Sequence, residues 1–162
     1  MEILRPLWTP QSIDMVRPYL DKKMKVFEWG SGSSTIWFAK KTEFVWTLES
    51  SLEWNDRVAK WIAERNLDNV VQIVRDITSG DYMLPIMDMQ DKKFDVILVD
   101  GAFRRVEAFE RSVPKLKHNG IMLLDDSQNY SWRGAFEIPN MEVVDESLPD
   151  KTGKKMTIFR RV

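Results

Sequence analysis

The chain contains no cysteine, which excludes disulfides, thiolate zinc sites and cysteine nucleophiles and fits a reducing compartment. It has one histidine, His118, placed in a turn before an apolar run, where a structural role is expected. Long hydrophobic runs are missing too. The first twenty residues are broken by Pro6, Pro10 and Pro18 and by charges, so neither a signal peptide nor a membrane span is expected, and the cytoplasm is the expected location. Neither sign of charge dominates: 24 basic and 25 acidic residues leave a formal net charge of -1, with no global pull toward membranes or nucleic acid, and nucleic acid is not an expected partner. There is no internal repeat and no low-complexity tract. At 162 residues the chain is long enough for a sizeable core but too short for a nucleotide domain plus a separate substrate domain. One domain, 1–162, is expected, with an N-terminal helical segment at 1–22 and a core at 23–162.

What is present centres on Lys25 to Lys40, KVFEWGSGSSTIWFAK. Val26 and Phe27 suit a buried strand that ends at Glu28; Gly30, Ser31, Gly32, Ser33 and Ser34 force a turn, and a helix starts near Ser33 or Ser34. Glycines there permit positive φ and a close ligand approach, and the helix start offers free N–H groups. A dinucleotide fingerprint wants a third glycine where Thr35 stands, which weakens a nicotinamide reading.

Upstream, Thr9 and Pro10 read as the cap and first residue of a helix with Ile13, Val16 and Leu20 on one face. Downstream, strands are expected at Phe44 to Leu48, Val70 to Val74, Phe94 to Val99 and Ile121 to Leu124. A helix capped by Ser50 or Ser51 runs to about Arg65, and another runs from Ala102 to about Lys117, stopped by Asn119-Gly120. Its Arg104, Arg105, Arg111, Lys115 and Lys117 read as a solvated basic face. Thr78 to Lys93 and Gln128 to Asn140 carry little pattern, and two strands at Met141 to Val144 and Lys155 to Phe159 form a hairpin.

The segments FEWGSGSST, FDVILVDG and GIMLLDDS together resemble the class I S-adenosylmethionine (SAM) methyltransferases over about Val26 to Arg160. The resemblance implies an α/β fold: a Rossmann-like doubly wound, mostly parallel seven-stranded sheet with a C-terminal antiparallel hairpin. It further implies SAM across Gly30, Ser31 and Gly32, with Ser34 where a third glycine is common and Glu28 near the ammonium group of the ligand. Glu49 suits both ribose hydroxyls, Asp76 the adenine amino group, and Ser50 and Ile77 the base pocket. Five strand ends carry carboxylates, Glu28, Glu49, Asp76, Asp100 and Asp125, a pattern that asks for a ligand or for hydrogen-bond donors.

The same resemblance puts Asp100 where cofactor and acceptor meet, as a general base, a metal ligand or a substrate anchor, with a helix cap as the other reading; Asp125 is a second catalytic candidate. Asp100, Asp125 and Asp126 also resemble the magnesium ligands of catechol-type O-methyltransferases, but Asp126 replaces an asparagine and Phe103 stands where that family carries a lysine. Tyr130 and Trp132 are candidates for stacking on an aromatic or sugar ring. The expected reaction is methyl transfer to an oxygen of a small-molecule or saccharide acceptor, with a homo-oligomer as one way to complete the substrate pocket. The alternatives are a non-catalytic module of the same fold and a nucleotide-binding enzyme.

Overall fold

Apolar residues at adjacent strand positions send side chains to opposite faces, so a sheet built from VF, VIL and IMLL runs must be covered on both sides. A computed structural model describes residues 4–101 and 103–162, and it shows this arrangement. One face buries Phe27, Trp29, Ile97, Val99, Met122 and Leu124; the other buries Val26, Val45, Val96, Leu98, Ile121 and Leu123. The strands are β1 (Lys25–Trp29), β2 (Phe44–Glu49), β3 (Val70–Val74), β4 (Phe94–Val99), β5 (Leu116–Asp125), β6 (Met141–Glu146) and β7 (Met156–Arg161). They form one sheet in the order β3-β2-β1-β4-β5-β7-β6. β1 to β5 pair in parallel, and β7 enters antiparallel to both β5 and β6, as the terminal hairpin requires.

The helices are α1 (Pro10–Val16), α2 (Ser33–Ala39), α3 (Leu52–Glu64), the single turn α4 (Leu84–Met87) and α5 (Arg105–Ser112). Thr9 caps α1, its Oγ1 accepting from Ser12 N at 3.1 Å. Ile13 and Val16 enter the core, while Leu20 lies beyond the helix, after the 3-10 turn Arg17–Tyr19. Ser51, not Ser50, caps α3, accepting from Trp54 N at 3.2 Å, which leaves Ser50 at the sheet rim.

The expected helix over Ala102 to Lys117 is shorter. Ala102 lies outside the described residues; α5 starts at Arg105, after Arg104 in the left-handed region, and ends at Ser112. Pro114 lacks the N–H that would continue the helical hydrogen-bond ladder, so the chain passes through a 3-10 turn and β5 begins at Leu116. Asn119-Gly120 therefore interrupts a strand and does not end a helix: the register slips between Phe94↔Leu116 and Val96↔Ile121, and Asn119 has φ of 64°. No helix among the described residues is long and apolar enough to cross a membrane.

Candidate functional site

The order β3-β2-β1-β4 reverses direction between β1 and β4, which opens a crevice above their carboxyl ends. Gly30 and Ser31 after β1, Glu49 at the end of β2 with Ser50 beyond it, and Asp100 and Gly101 after β4 line a cleft of about 240 Å³ there. Gly30 sits at φ of 90°, and a Cβ on it would lie 3.1 Å from Asp100 O and from Gly101 Cα and N. Its bareness thus serves the approach of β1 to the end of β4. Gly32, with φ of 176°, has ordinary extended backbone and room for a side chain.

Glu49 joins the two turns. One carboxylate oxygen accepts from Ser31 N at 3.0 Å and Ser31 Oγ at 3.2 Å; the other accepts from Ser50 N at 2.7 Å and Ser51 N at 2.9 Å. Four donors on one buried carboxylate hold both loops in place.

Glu28 departs from the expectation that it meets the ligand. It is fully buried, one oxygen taken by Ser34 Oγ and the other by Thr35 Oγ1 at 2.5 Å, and Thr35 Oγ1 in turn accepts from Gly32 N at 2.9 Å. Glu28 and Ser34 therefore brace the turn from beneath and do not line the cleft. Burial, opposed by these two hydroxyls, pushes the Glu28 carboxyl from 4.5 up to about 7. A carboxyl that binds its proton more tightly in the folded than in the unfolded chain contributes stability that is complete below about pH 4.5 and is lost as pH rises through about 7. The thermal unfolding midpoint is expected to fall between about pH 5 and about pH 8, with a shallower fall in Glu28→Gln. A midpoint that rises over that range would contradict the assignment.

Two residues absent from the expected site also line the cleft. Trp54 donates its indole N–H to Ser31 O at 2.6 Å, and Tyr82, from the segment with little pattern, is 2% exposed. Burial and the charge of Glu49 push the Tyr82 hydroxyl up to about 12, so it stays a neutral donor. Asp76 lies outside the cleft, exposed, with Oδ1 accepting from Thr78 N and Oγ1 at 2.8 Å each; Ile77 packs against the core.

No family model and no curated protein sequence matches the chain. Solved structures do. An rRNA methylase from Streptococcus thermophilus superposes with a TM-score of 0.73 at 14% identity, over 100% of this chain and 99% of that one. A methyltransferase-like protein from Silicibacter pomeroyi gives 0.71 at 20% identity, over 97% and 88%. TYW2 of M. jannaschii, in complex with AdoMet, gives 0.63 at 14% identity, over 100% and 81%. The fold is that of the class I methyltransferases.

In this methyltransferase fold the rim beyond the cleft is ionic. Arg105, on the buried side of α5 with Ala108, Phe109 and Ser112, reaches back to donate to Gly101 O at 2.7 Å, to Asp125 O and to Asp100 Oδ1 at 3.2 Å. It lies 3.9 Å from Asp126, and its guanidinium covers the Trp132 ring at 5.3 Å. The expected solvated basic face is thus wrong for Arg105, which is 7% exposed, and for Lys115, which bonds Met89 O and Asp91. Trp8 Nε1 approaches Asp100 Oδ2 at 3.4 Å from the opposite side.

Burial raises the carboxyls of both Asp100 and Asp125 well above the usual carboxylate range, and their proximity lets the two share a proton. Asp100 does not cap α5. The magnesium reading of Asp100, Asp125 and Asp126 does not fit: Arg105 neutralises Asp100, and Lys154 Nζ sits 3.9 Å from Asp125 and 3.3 Å from Asp126. Among the described residues no group of three or more His, Asp or Glu is arranged to hold a metal ion. Tyr130 is 79% exposed beneath Arg133, and Trp132 packs on the core.

Proposed function

We propose that the chain is a SAM-dependent methyltransferase that moves a methyl group to an oxygen of a small-molecule or saccharide acceptor. The observation that carries this reading is Glu49, at the end of β2, wrapped by the Ser31 and Ser50 loops on the wall of the cleft. The hydroxyls of these two serines lie 3.2 and 3.5 Å from its oxygens, where the two hydroxyls of a ribose would bond after the serines rotate away. At about 240 Å³ the cleft is smaller than the roughly 300 Å³ lower end of ligand sites, so it would take part of an adenosine-sized molecule and leave the rest along the open rim. In this reading Asp76 keeps Oδ2 for the base amino group, since Thr78 occupies Oδ1, and Ile77 supplies apolar contact. Asp100 takes over from Glu28 the place beside the ligand's ammonium, because it faces the cleft and Glu28 does not.

Bound there, SAM supplies a methyl group on a positively charged sulfur, already activated for displacement. The Asp100–Asp125 pair would take the proton that the acceptor oxygen gives up on methylation, S-adenosylhomocysteine being the other product. Raised carboxyls suit that transfer near neutral pH. Positioning of the two reactants offsets up to roughly 7–11 kcal/mol of the barrier.

Calorimetric titration tests the cofactor. Micromolar binding of SAM and S-adenosylhomocysteine is expected, with affinity about 10- to 100-fold weaker in Glu49→Ala, the cost of losing hydrogen bonds to a charged group. Absence of binding, or tighter binding of NAD, would overturn the proposal.

A further inference from the structure

A second pocket opens along the same rim. β6 runs parallel to β5, with β7 antiparallel between them, so the ends of β5 and β6 and the start of β7 lie side by side. Ser127 and Gln128 after β5, Glu146 at the end of β6, Lys155 before β7, and Arg133 and Phe136 of the 3-10 segment Tyr130–Glu137 enclose about 470 Å³. That lies within the roughly 300–1,000 Å³ of small-ligand sites. We propose that this pocket is the acceptor site and that it takes a neutral polyhydroxylated ring, a pyranose; the inference rests on the methyltransferase reading.

Three features select that chemistry. The charges on the wall cancel: Arg133 and Lys155 stand against Glu137 and Glu146. A phosphate or carboxylate would gain Arg133 but meet two carboxylates, and an amine would meet the reverse; a hydroxyl, both donor and acceptor, satisfies each kind of group. Among the described residues Arg133 makes no ion pair; its guanidinium lies over the Tyr130 ring at 5.2 Å, keeping its donors available.

The second feature is a polar ladder with a free end. Glu146 accepts from Lys155 Nζ at 2.8 Å and Thr157 Oγ1 at 2.9 Å, and Thr157 Oγ1 lies 2.8 Å from Ser127 Oγ. Ser127 Oγ accepts from Thr157 and reaches Lys155 O at 3.4 Å, which leaves it one lone pair at the pocket wall for a ligand hydroxyl. The third is Phe136, 41% exposed, whose ring packs edge-to-face on Phe159 at 5.0 Å. The core supports it on that side, and its open side matches the apolar C–H face of a pyranose. Gln128 Nε2 reaches Asp126 Oδ1 at 3.4 Å, and Ser127 lies two positions after Asp125, so the near wall of the pocket stands at the end of β5, the strand whose end carries Asp125.

Saturation-transfer NMR on the full chain, with and without S-adenosylhomocysteine, tests this. The probes are methyl α-glucoside, methyl α-galactoside, methyl α-mannoside and N-acetylglucosamine, with glucose 6-phosphate and glucuronate as charged counterparts. Transfer to the ring C–H protons of at least one neutral pyranose is expected, abolished in Phe136→Ala and about 10-fold weaker in Glu137→Gln, with S-adenosylhomocysteine affinity unchanged in both. Failure of every neutral pyranose, persistence in Phe136→Ala, or tighter binding of the charged sugars overturns the assignment. Pyranose binding without any binding of S-adenosylhomocysteine would support the pocket and overturn the methyltransferase reading.

Discussion

Arg105→Ala is expected to lower the unfolding free energy by about 3–5 kcal/mol, the cost of leaving buried charge without its partner. Arg105 is 7% exposed and is the cation around which the ends of β4 and β5 close. It bonds the carbonyls of Gly101 and Asp125, pairs with Asp100 at 3.2 Å, and supports Trp132. Removing it leaves Asp100 and Asp125 side by side in a poorly hydrated place, with Lys154 near Asp125 and Asp126 and no cation at Asp100. The carboxyls would respond by holding protons more tightly, so the variant is hurt least in acid. Urea unfolding at neutral pH and at about pH 5 measures both effects, and a cycle with Asp100→Asn isolates the pair. If the single variant loses less than about 1 kcal/mol, Arg105 is not the organising charge of this rim.

Gly30→Val is expected to cost about 2–4 kcal/mol and to abolish cofactor binding, through backbone strain and overpacking together. At φ of 90° a side chain is strained even in open space, and this one would also press at 3.1 Å on backbone atoms of Asp100 and Gly101. Backbone cannot rotate aside as a side chain can, so β1 and β4 would have to part at the cleft itself. Gly32→Ala is the control: its Cβ would lie 3.8 Å from Ser34 Oγ and 4.0 Å from Trp54 Nε1, and loss of glycine at the cap costs less than about 1 kcal/mol. Equal losses at the two positions in denaturant unfolding would refute the close-approach explanation.

The glycine pair also shows how far the chain could be read without coordinates. Both glycines, the acidic residue before them and the helix after them were legible because a strand, a turn and a helix each leave a local signature. What differs between Gly30 and Gly32 is the distance to Asp100, a partner seventy residues away, and no local pattern encodes it. The same holds for Glu28, Ser34 and Thr35, whose types were visible but whose enclosure beneath α2 depends on packing.

Arg105 does carry a signal in the sequence. It stands three, four and seven positions before Ala108, Phe109 and Ser112, the helical spacing of a buried face. A run of basic residues around it concealed that spacing. Tyr82 and Phe136 lie in segments with no sustained period, where no such signal exists.

The sequence by itself determined the sheet, the order of its elements and the rim on which polar residues collect, because hydrophobic alternation and turn chemistry act over a few neighbours. Only the tertiary structure decided which rim residues face a ligand, which are neutralised by Arg105 and Lys154, and where a second pocket opens. Those outcomes depend on contacts between strand ends far apart in the chain, and on burial, which sets the charge of a carboxyl only once the whole sheet has closed around it.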